Sequence, residues 1–298
     1  MATNDYYFNI GGHTIRLSFL PSETNSMELL PSFSPFHTEV NKDCHLLFSL
    51  TIDDSLRPIR NCELIRKFDT GNGDTLVFKT KEGGYQFIIR NIANQDCCLL
   101  QANEDFSQCH CALNGTWTMR SFGLNDALML VYAFAGSFQQ TLLVHASCIA
   151  HNGWAYPFIA KSGTGKSTHS GLWLRYIEDV QLVNDDNPII RIIDGKPMLY
   201  GSPWSGKTPC YRQINFPLGA MTRIDRASSN SIERLAPVQA FASILPSCSS
   251  MKWDSIIYNN LCNTVTRIIE TTPIYTLHCL PNEEAALLCH KTISRNNE

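Results

Sequence analysis

The stretch AYPFIAKSGTGKSTHSGLWLRYI, residues 155–177, contains the three parts of a phosphate-binding loop in the required order. The apolar run that ends at Ala160 predicts a strand, the glycines of SGTG predict a tight bend, and the apolar periodicity from Ser167 predicts a helix. In such an arrangement successive backbone N–H groups surround phosphate oxygens at the start of the helix. The stretch therefore predicts an α/β domain that binds a phosphorylated ligand.

The side chains of this loop indicate a nucleoside triphosphate. In the pattern G-x-x-x-x-G-K-[ST] the lysine reaches the β- and γ-phosphates and the hydroxyl joins the Mg²⁺ shell, which assigns these roles to Lys166 and Ser167. Only the first glycine of the pattern is changed, to Ala160, a mild change where a strand ends. A glycine turn that merely begins a helix would leave the lysine and the serine unexplained. The predicted nucleotide-binding residues are Ser162, Gly163, Thr164, Gly165, Lys166, Ser167 and Thr168.

A second stretch, GSPWSGKT at residues 201–208, matches the same pattern letter for letter. Pro203 has no backbone N–H, so this segment has one donor fewer for a phosphate than a regular phosphate-binding loop. Thr208 is followed directly by Pro209, and the next residues show no helical periodicity. The sequence context therefore favours the first stretch as the triphosphate site.

Two adjacent carboxylates follow the predicted loop and helix. The run QLVNDDNPI places Asp185 and Asp186 at the end of an apolar strand, the edge at which open α/β sheets bind their ligands. One carboxylate can hold a metal ion while the other accepts a proton from an attacking hydroxyl. Such a pair alone is more often a turn or a helix cap, but the neighbouring phosphate loop favours a catalytic role.

The residue composition and net charge of the chain limit the kinds of partner that it is expected to bind. The chain has 298 residues and a formal net charge of −3, with 44% hydrophobic and 17% charged residues, which is typical of a folded globular protein. The weak negative charge argues against general binding to nucleic acid or to an anionic membrane. The first residues lack the pattern of a signal peptide, and the longest apolar run is too short to span a bilayer. We therefore expect a cytoplasmic protein.

The N-terminal third differs in character from the remainder. Short alternating runs predict antiparallel hairpins at residues 6–19, around Gly11-Gly12, and at residues 74–91. From Leu124 the period becomes helical, with Asn125 as a candidate cap, and residues 231–245 also predict a helix. We therefore predict two domains, a β-rich antiparallel one at residues 1–120 and a phosphate-loop domain at residues 121–298.

Twelve cysteines are scattered through the chain. The densest group is Cys97-Cys98 with Cys109-His110-Cys111, and neither spacing is the C-x₂₋₄-C of a zinc site. Paired strands with inward-facing thiols are the preferred interpretation, and a metal site is the alternative.

Residues 144–186, VHASCIAHNGWAYPFIAKSGTGKSTHSGLWLRYIEDVQLVNDD, resemble the catalytic core of HPr kinase/phosphorylase. That family has a histidine before a strand, a turn, a second strand, an S-G-x-G-K-S loop, a helix and a strand ending in L-V-A-D-D. Phosphoenolpyruvate carboxykinase shares the loop and the fold. A weaker likeness to HPr-kinase-like proteins of bacterial gene clusters extends to Phe241. The resemblance implies an α/β (α+β) phosphate-loop domain, here preceded by the smaller β-rich one.

The resemblance also implies catalytic roles. Asp185 matches the proton-accepting aspartate, Asp186 the metal-binding one, and His145 the histidine beside the catalytic aspartate. The alternative for His145 is a hydrogen-bonded histidine at a strand edge. Together with Lys166, these residues imply catalysis with ATP and Mg²⁺.

The sequence departs from the family downstream of the double aspartate. The regulatory signature is missing, and GSPWSGKTP stands in its place, so HPr as the substrate and the reverse phosphorolysis are in doubt. The manganese ligands and the substrate arginine of carboxykinases are not found. We hypothesise that Ser205, Lys207 and Arg212 form an acceptor-side or γ-phosphate-side loop; a surface turn that packs Trp204 is the alternative.

The sequence thus predicts an ATP-dependent kinase that transfers the γ-phosphoryl group to a hydroxyl, such as serine of a protein, a peptide or a small molecule. The alternatives are a nucleotide-binding sensor or assembly module and a stand-alone nucleotide hydrolase. The expected partners are a nucleoside triphosphate, a hydroxyl acceptor and a possible second copy of the chain.

Overall fold

The computed structural model describes residues 4–39, 44–69, 72–206 and 208–295. The chain divides into two compact units. The first comprises Met1–Phe138 with Met251–Ser255, and the second comprises Gln139–Ser250 with Ile256–Glu298. The predicted boundary after residue 120 is wrong, because it falls inside a helix that belongs to the first unit.

The first unit consists of strands followed by one long helix. Its elements are β1 (Asn4–Ile10), β2 (His13–Phe19), two short 3₁₀ helices (Met27–Leu29 and Pro31–Phe36), β3 (Leu46–Ile52), β4 (Cys62–Asp69), β5 (Asp74–Thr80), β6 (Tyr85–Arg90), β7 (Asp96–Ala102), β8 (Gln108–Leu113) and α1 (Trp117–Ser137).

In the described part of the first unit, eight strands form one sheet in the order β1-β2-β3-β8-β7-β6-β5-β4. The predicted hairpins are present as the antiparallel pairs β1–β2 and β5–β6, and Gly11 and Gly12 have the positive φ angles that the first turn requires. The prediction of a wholly antiparallel module is wrong, since β3 runs parallel to both β2 and β8.

Helix α1 packs closely against strand β7 of this sheet. A Cβ added at Gly123 would lie 2.9 Å from the backbone of Cys97 and from the Cys98 side chain, so only glycine permits this approach. The predicted cap at Asn125 is wrong. The cap is Thr116, nine residues earlier, and its side chain accepts a hydrogen bond from the Met119 N–H.

The cysteine group of the first unit lies in its core. Cys97 and Cys98 on β7, and Cys109 and Cys111 on β8, are all buried, and the two strands pair with each other. Burial raises the pKa of the Cys109 thiol, which keeps it protonated and apolar in character.

The second unit alternates strands and helices. Its elements are β9 (Thr141–Leu143), β10 (Ala146–His151), β11 (Trp154–Ile159), α2 (Lys166–Tyr176), β12 (Gln181–Asn184), β13 (Ile189–Ile193), β14 (Lys196–Tyr200), β15 (Asn215–Pro217), β16 (Met221–Arg226), β17 (Ser231–Arg234), α3 (Pro237–Ile244), a 3₁₀ turn (Leu245–Ser247), α4 (Ser255–Thr271), β18 (Ile274–Cys279) and α5 (Glu283–Ile293). The predicted helix at 231–245 is wrong in its first part, because β17 pairs with β18 there.

The described strands of this unit form a six-stranded sheet, β12-β10-β11-β16-β18-β17, and a four-stranded sheet, β15-β14-β13-β9. Residues of α2 and α5, such as Trp173 and Cys289, share one core with Tyr156 and Phe158 of the large sheet. Residues of α3, α4 and the small sheet share a second core with other side chains of the large sheet. The unit is therefore a layered, mixed α/β structure.

Strand directions bring several chain segments to one edge of the large sheet. β11, β16 and β18 are parallel, while β10 is antiparallel to both β11 and β12. The carboxyl ends of β11, β12, β16 and β18 therefore meet at the edge where β10 begins. Among the described helices, none is long and apolar enough to cross a membrane.

Candidate functional site

The predicted strand, loop and helix are present at this edge. β11 ends at Ile159 and α2 begins at Lys166, so residues 160–165, here called the glycine loop, join them. Gly163 and Gly165 have φ angles of 75° and 128°, in the region that favours glycine. A Cβ added at Gly163 would meet no atom within 4 Å, so the loop faces open space. Open backbone at the start of a helix suits an anion.

Lys166, Asp186 and His145 form a connected chain of polar groups. The Lys166 Nζ lies 2.7 Å from His145 Nε2, and His145 Nδ1 lies 3.1 Å from Asp186 Oδ1. Because the ammonium group donates, Nε2 accepts and the imidazole proton is on Nδ1, where it donates to the carboxylate. Burial lowers the pKa of Lys166, and the nearby carboxylates of Asp186 and Asp185 oppose that shift.

Asp185 occupies a different environment from Asp186. Asp185 is buried, and its Oδ1 accepts a hydrogen bond of 2.7 Å from the Ser147 hydroxyl. The Ser147 hydroxyl also lies 2.6 Å from that of Ser170, which joins the aspartate to β10 and α2. The Asp186 side chain, by contrast, is 35% exposed and reaches the solvent side of the edge. Two adjacent carboxylates thus differ in access, as a division of roles requires.

The 201–208 segment also reaches the double aspartate. A Cβ added at Gly206 would lie 2.9 Å from the Asp185 carbonyl oxygen and 3.3 Å from the Asp186 Cβ. Among the described residues 201–206 and 208–214 there is no helix, so this segment lacks the strand–loop–helix order of a phosphate loop.

Asn184 fixes this second segment in place. The Asn184 side chain is fully buried, and its Oδ1 accepts hydrogen bonds of 2.9 Å from the N–H groups of Asp186 and Asn187. Its Nδ2 donates to the Ser202 hydroxyl and the Trp204 carbonyl, at 3.1 and 3.2 Å. The sequence predicted no role for Asn184, because asparagine near aspartates is common in ordinary turns.

Ser205 and Arg212, two of the three residues proposed as an acceptor-side group, bind different parts of the second unit. The Ser205 hydroxyl donates to the Thr208 carbonyl within its own turn. The Arg212 guanidinium donates to the Leu182 carbonyl and the Gln181 side chain, at the far end of β12 from the aspartates. The prediction of Arg212 as a phosphate-side cation is therefore wrong. Lys207 lies outside the described residues.

A different arginine touches the glycine loop. Arg226, the last residue of β16, donates to the carbonyls of Thr164 and Gly163 at 2.9 and 2.5 Å. The sequence gave no motif for this residue, because its position follows from the parallel pairing of β16 with β11. Arg226 therefore stabilises the conformation of the glycine loop from the neighbouring strand β16.

The donor set at this edge suits Mg²⁺ bound together with a phosphate. Within the part of the chain that the structure describes, no three His, Cys, Asp or Glu side chains are grouped to hold a metal ion alone. Magnesium is commonly held by one or two protein oxygens and by substrate phosphates. The carboxylate of Asp186 and the exposed hydroxyl of Ser167 are oxygens of this kind.

Comparison with known proteins adds no relative. No protein-family model matches the chain, and a search of curated proteins finds no similar sequence.

Proposed function

We propose that this protein is an ATP-dependent kinase that transfers the γ-phosphoryl group to a hydroxyl of a protein, a peptide or a small molecule. The observation that carries the proposal is the Asp186–His145–Lys166 chain beside the glycine loop. A lysine of a phosphate loop and a double aspartate at one sheet edge suit phosphoryl transfer, in which positioning and charge neutralisation supply most of the catalysis.

The roles of the residues follow from their positions. The N–H groups of the glycine loop and the Lys166 ammonium bind the phosphates, and His145 orients that lysine against Asp186. Mg²⁺, when bound, neutralises charge that develops on the phosphates. Ser167 and Asp186 would hold it. Asp185, fixed by Ser147, accepts the proton of the acceptor hydroxyl as the oxygen attacks phosphorus and ADP leaves.

This assignment extends to the fold. We infer an HPr-kinase-like domain, since the order of strands, loop, helix and double aspartate corresponds to the sequence resemblance. The segment after β14 supports a different acceptor from HPr, because it is held by Asn184 and lies on the aspartates where the family has its regulatory signature. The free cysteines of the described chain suit a reducing, cytoplasmic location.

Thermal unfolding with and without Mg·ATP tests nucleotide binding. At 100 times its Kd a ligand stabilises the folded protein by about 2.7 kcal/mol, which raises the melting temperature measurably. We expect the wild type and Lys207→Ala to show this rise and Lys166→Ala to lose it. Loss of the rise in Lys207→Ala alone would assign the nucleotide to the 201–208 segment instead.

ADP formation then separates the candidate activities. A kinase forms ADP from Mg·ATP when serine-containing peptides are added, and Asp185→Asn abolishes that reaction. ADP formation of equal rate without any acceptor would indicate a nucleotide hydrolase. A melting shift with no ADP formation under either condition would indicate a binding module without transfer chemistry.

A further inference from the structure

A cleft of about 510 Å³ opens on the side of the glycine loop away from the aspartates' strand. The loop itself forms one wall, through Gly163, Thr164 and Gly165. The opposite walls come from α2 and from the ends of β16 and β18. The volume lies within the range of about 300–1,000 Å³ that small-molecule sites occupy.

The far wall of the cleft is apolar. Leu172 projects from α2, Ile224 from β16, and Leu280 and Pro281 follow β18. Leu280 is 39% exposed, so an apolar surface remains open to solvent there. A wall of this kind suits a flat, uncharged ring and does not suit a phosphate.

His169 adds one polar group to this wall. The Trp173 indole N–H donates to His169 Nε2 at 3.1 Å, so Nε2 is the acceptor and the proton of the neutral ring is on Nδ1. Among the described residues, that Nδ1 has no hydrogen-bond partner. His169 is 2% exposed and lines the cleft, and burial lowers its pKa to about 4. An uncharged donor is thus buried in the cleft wall.

The cleft is continuous with the phosphate site. Gly163 and Gly165 belong to both, and Arg226 lines the cleft while its guanidinium holds the loop carbonyls. If the phosphates of a nucleotide lie on the glycine loop, its base and ribose must extend to one side of that loop. The side of Asp185 and Asp186 is occupied by the segment around Gly206. We infer that the cleft holds the base and ribose of that nucleotide, with the base against Leu172 and Ile224. This inference rests on the proposed function.

Binding of Mg·ATP and of Mg·tripolyphosphate, measured by calorimetry, tests the inference. Tripolyphosphate has the phosphates without the nucleoside. Ala227 lines the cleft and is half-buried, so Ala227→Trp fills the space. We expect this variant to raise the Kd for Mg·ATP about tenfold or more and to change the Kd for Mg·tripolyphosphate by less than about twofold. Lys166→Ala is expected to weaken the binding of both ligands.

A matched pair on α2 provides the control. Leu172→Trp changes the cleft wall, whereas Leu174→Trp changes an exposed position of the same helix outside it. Only Leu172→Trp is expected to weaken the binding of Mg·ATP. Melting temperatures of both variants without ligand show whether the fold is intact, and the pair decides the question if Ala227→Trp fails to fold.

Three outcomes overturn the assignment. Equal affinity of the wild type for the two ligands, or equal weakening of both by the cleft variants, would place the nucleoside elsewhere and leave the proposed function standing. If the wild type binds neither ligand, the proposed function itself fails, and the inference fails with it.

Discussion

The buried amide of Asn184 donates a hydrogen bond to the Trp204 carbonyl, 3.2 Å away, and so joins the double aspartate to the 201–208 segment. The same side chain accepts from the N–H groups of Asp186 and Asn187. Asn184 therefore fixes two parts of the candidate site relative to each other. In the L-V-A-D-D pattern of the resembling family this position is alanine, which cannot make these bonds.

Asn184→Ala is expected to destabilise the protein and to lower its activity. The substitution leaves the Asp186 N–H without its partner, at about 1–3 kcal/mol if it stays unsatisfied, whereas the Asn187 N–H and the Trp204 carbonyl keep the 3.3 Å bond between them. Urea unfolding measures the loss of stability, and ADP formation measures the loss of activity. Asn259→Ala, at an exposed position of α4, is the control and should leave both unchanged. An Asn184→Ala protein as stable as the wild type would show that the network contributes little.

Gly206→Ala is expected to slow phosphoryl transfer without weakening nucleotide binding. The added Cβ would lie 2.9 Å from the Asp185 carbonyl oxygen, so the segment or the aspartate must move. Displacements of this kind in a catalytic site cost about tenfold or more in rate. The measurement is ADP formation with acceptor present, alongside the Kd for Mg·ATP.

Gly171→Ala is the matched control for that experiment. Its Cβ would meet nothing within 4 Å, and the position is inside α2. Alanine there should stabilise the helix by up to about 1 kcal/mol. Similar rates for the two alanine variants would show that the contact between Gly206 and Asp185 does not affect activity.

His145→Ala is expected to reduce ADP formation by about 10–100-fold, the usual effect of removing a side chain that orients a catalytic group. The His145 side chain is 40% exposed, so we expect little loss of folding stability. His110→Ala, at an exposed position of β8, is the control. An unchanged rate in His145→Ala would support the alternative of a strand-edge histidine without a catalytic role.

Local signals in the sequence predicted several elements of the chain. The hairpins at residues 6–19 and 74–91 and the strand–loop–helix around Lys166 each depend on residues that are close together in the chain, and all are present. Glycine and polar turn residues determine backbone angles directly, so these elements can be predicted from short stretches.

Features set by distant contacts could not be predicted in this way. β17 forms because Ser231–Arg234 pairs with β18, more than forty residues later, and the stretch alone has no strand signal. Arg212 and Arg226 are both arginines near sheet edges, yet one binds the start of β12 and the other holds the glycine loop. Only the strand order distinguishes their positions.

The stability of the first unit is expected to depend on Asp126, a buried residue of α1. Burial raises the pKa of Asp126 to about 7, well above its usual value of 3.8. Between pH 4 and pH 7 the folded state therefore holds a proton that the unfolded state has lost, so stability falls as the pH rises through this window and stays low above it. The cost of ionisation is on the order of 4 kcal/mol.

Asp126→Asn should remove this dependence, because the amide has the same shape and does not ionise. We expect the variant to melt at a higher temperature than the wild type at pH 8 and at a similar temperature near pH 4.5. Asp5→Asn, at an exposed position of β1, is the control and should follow the wild type at every pH. Melting curves of Asp126→Asn and wild type that run parallel from pH 4.5 to pH 8 would mean that Asp126 is already ionised in the folded protein at the acidic end of that range.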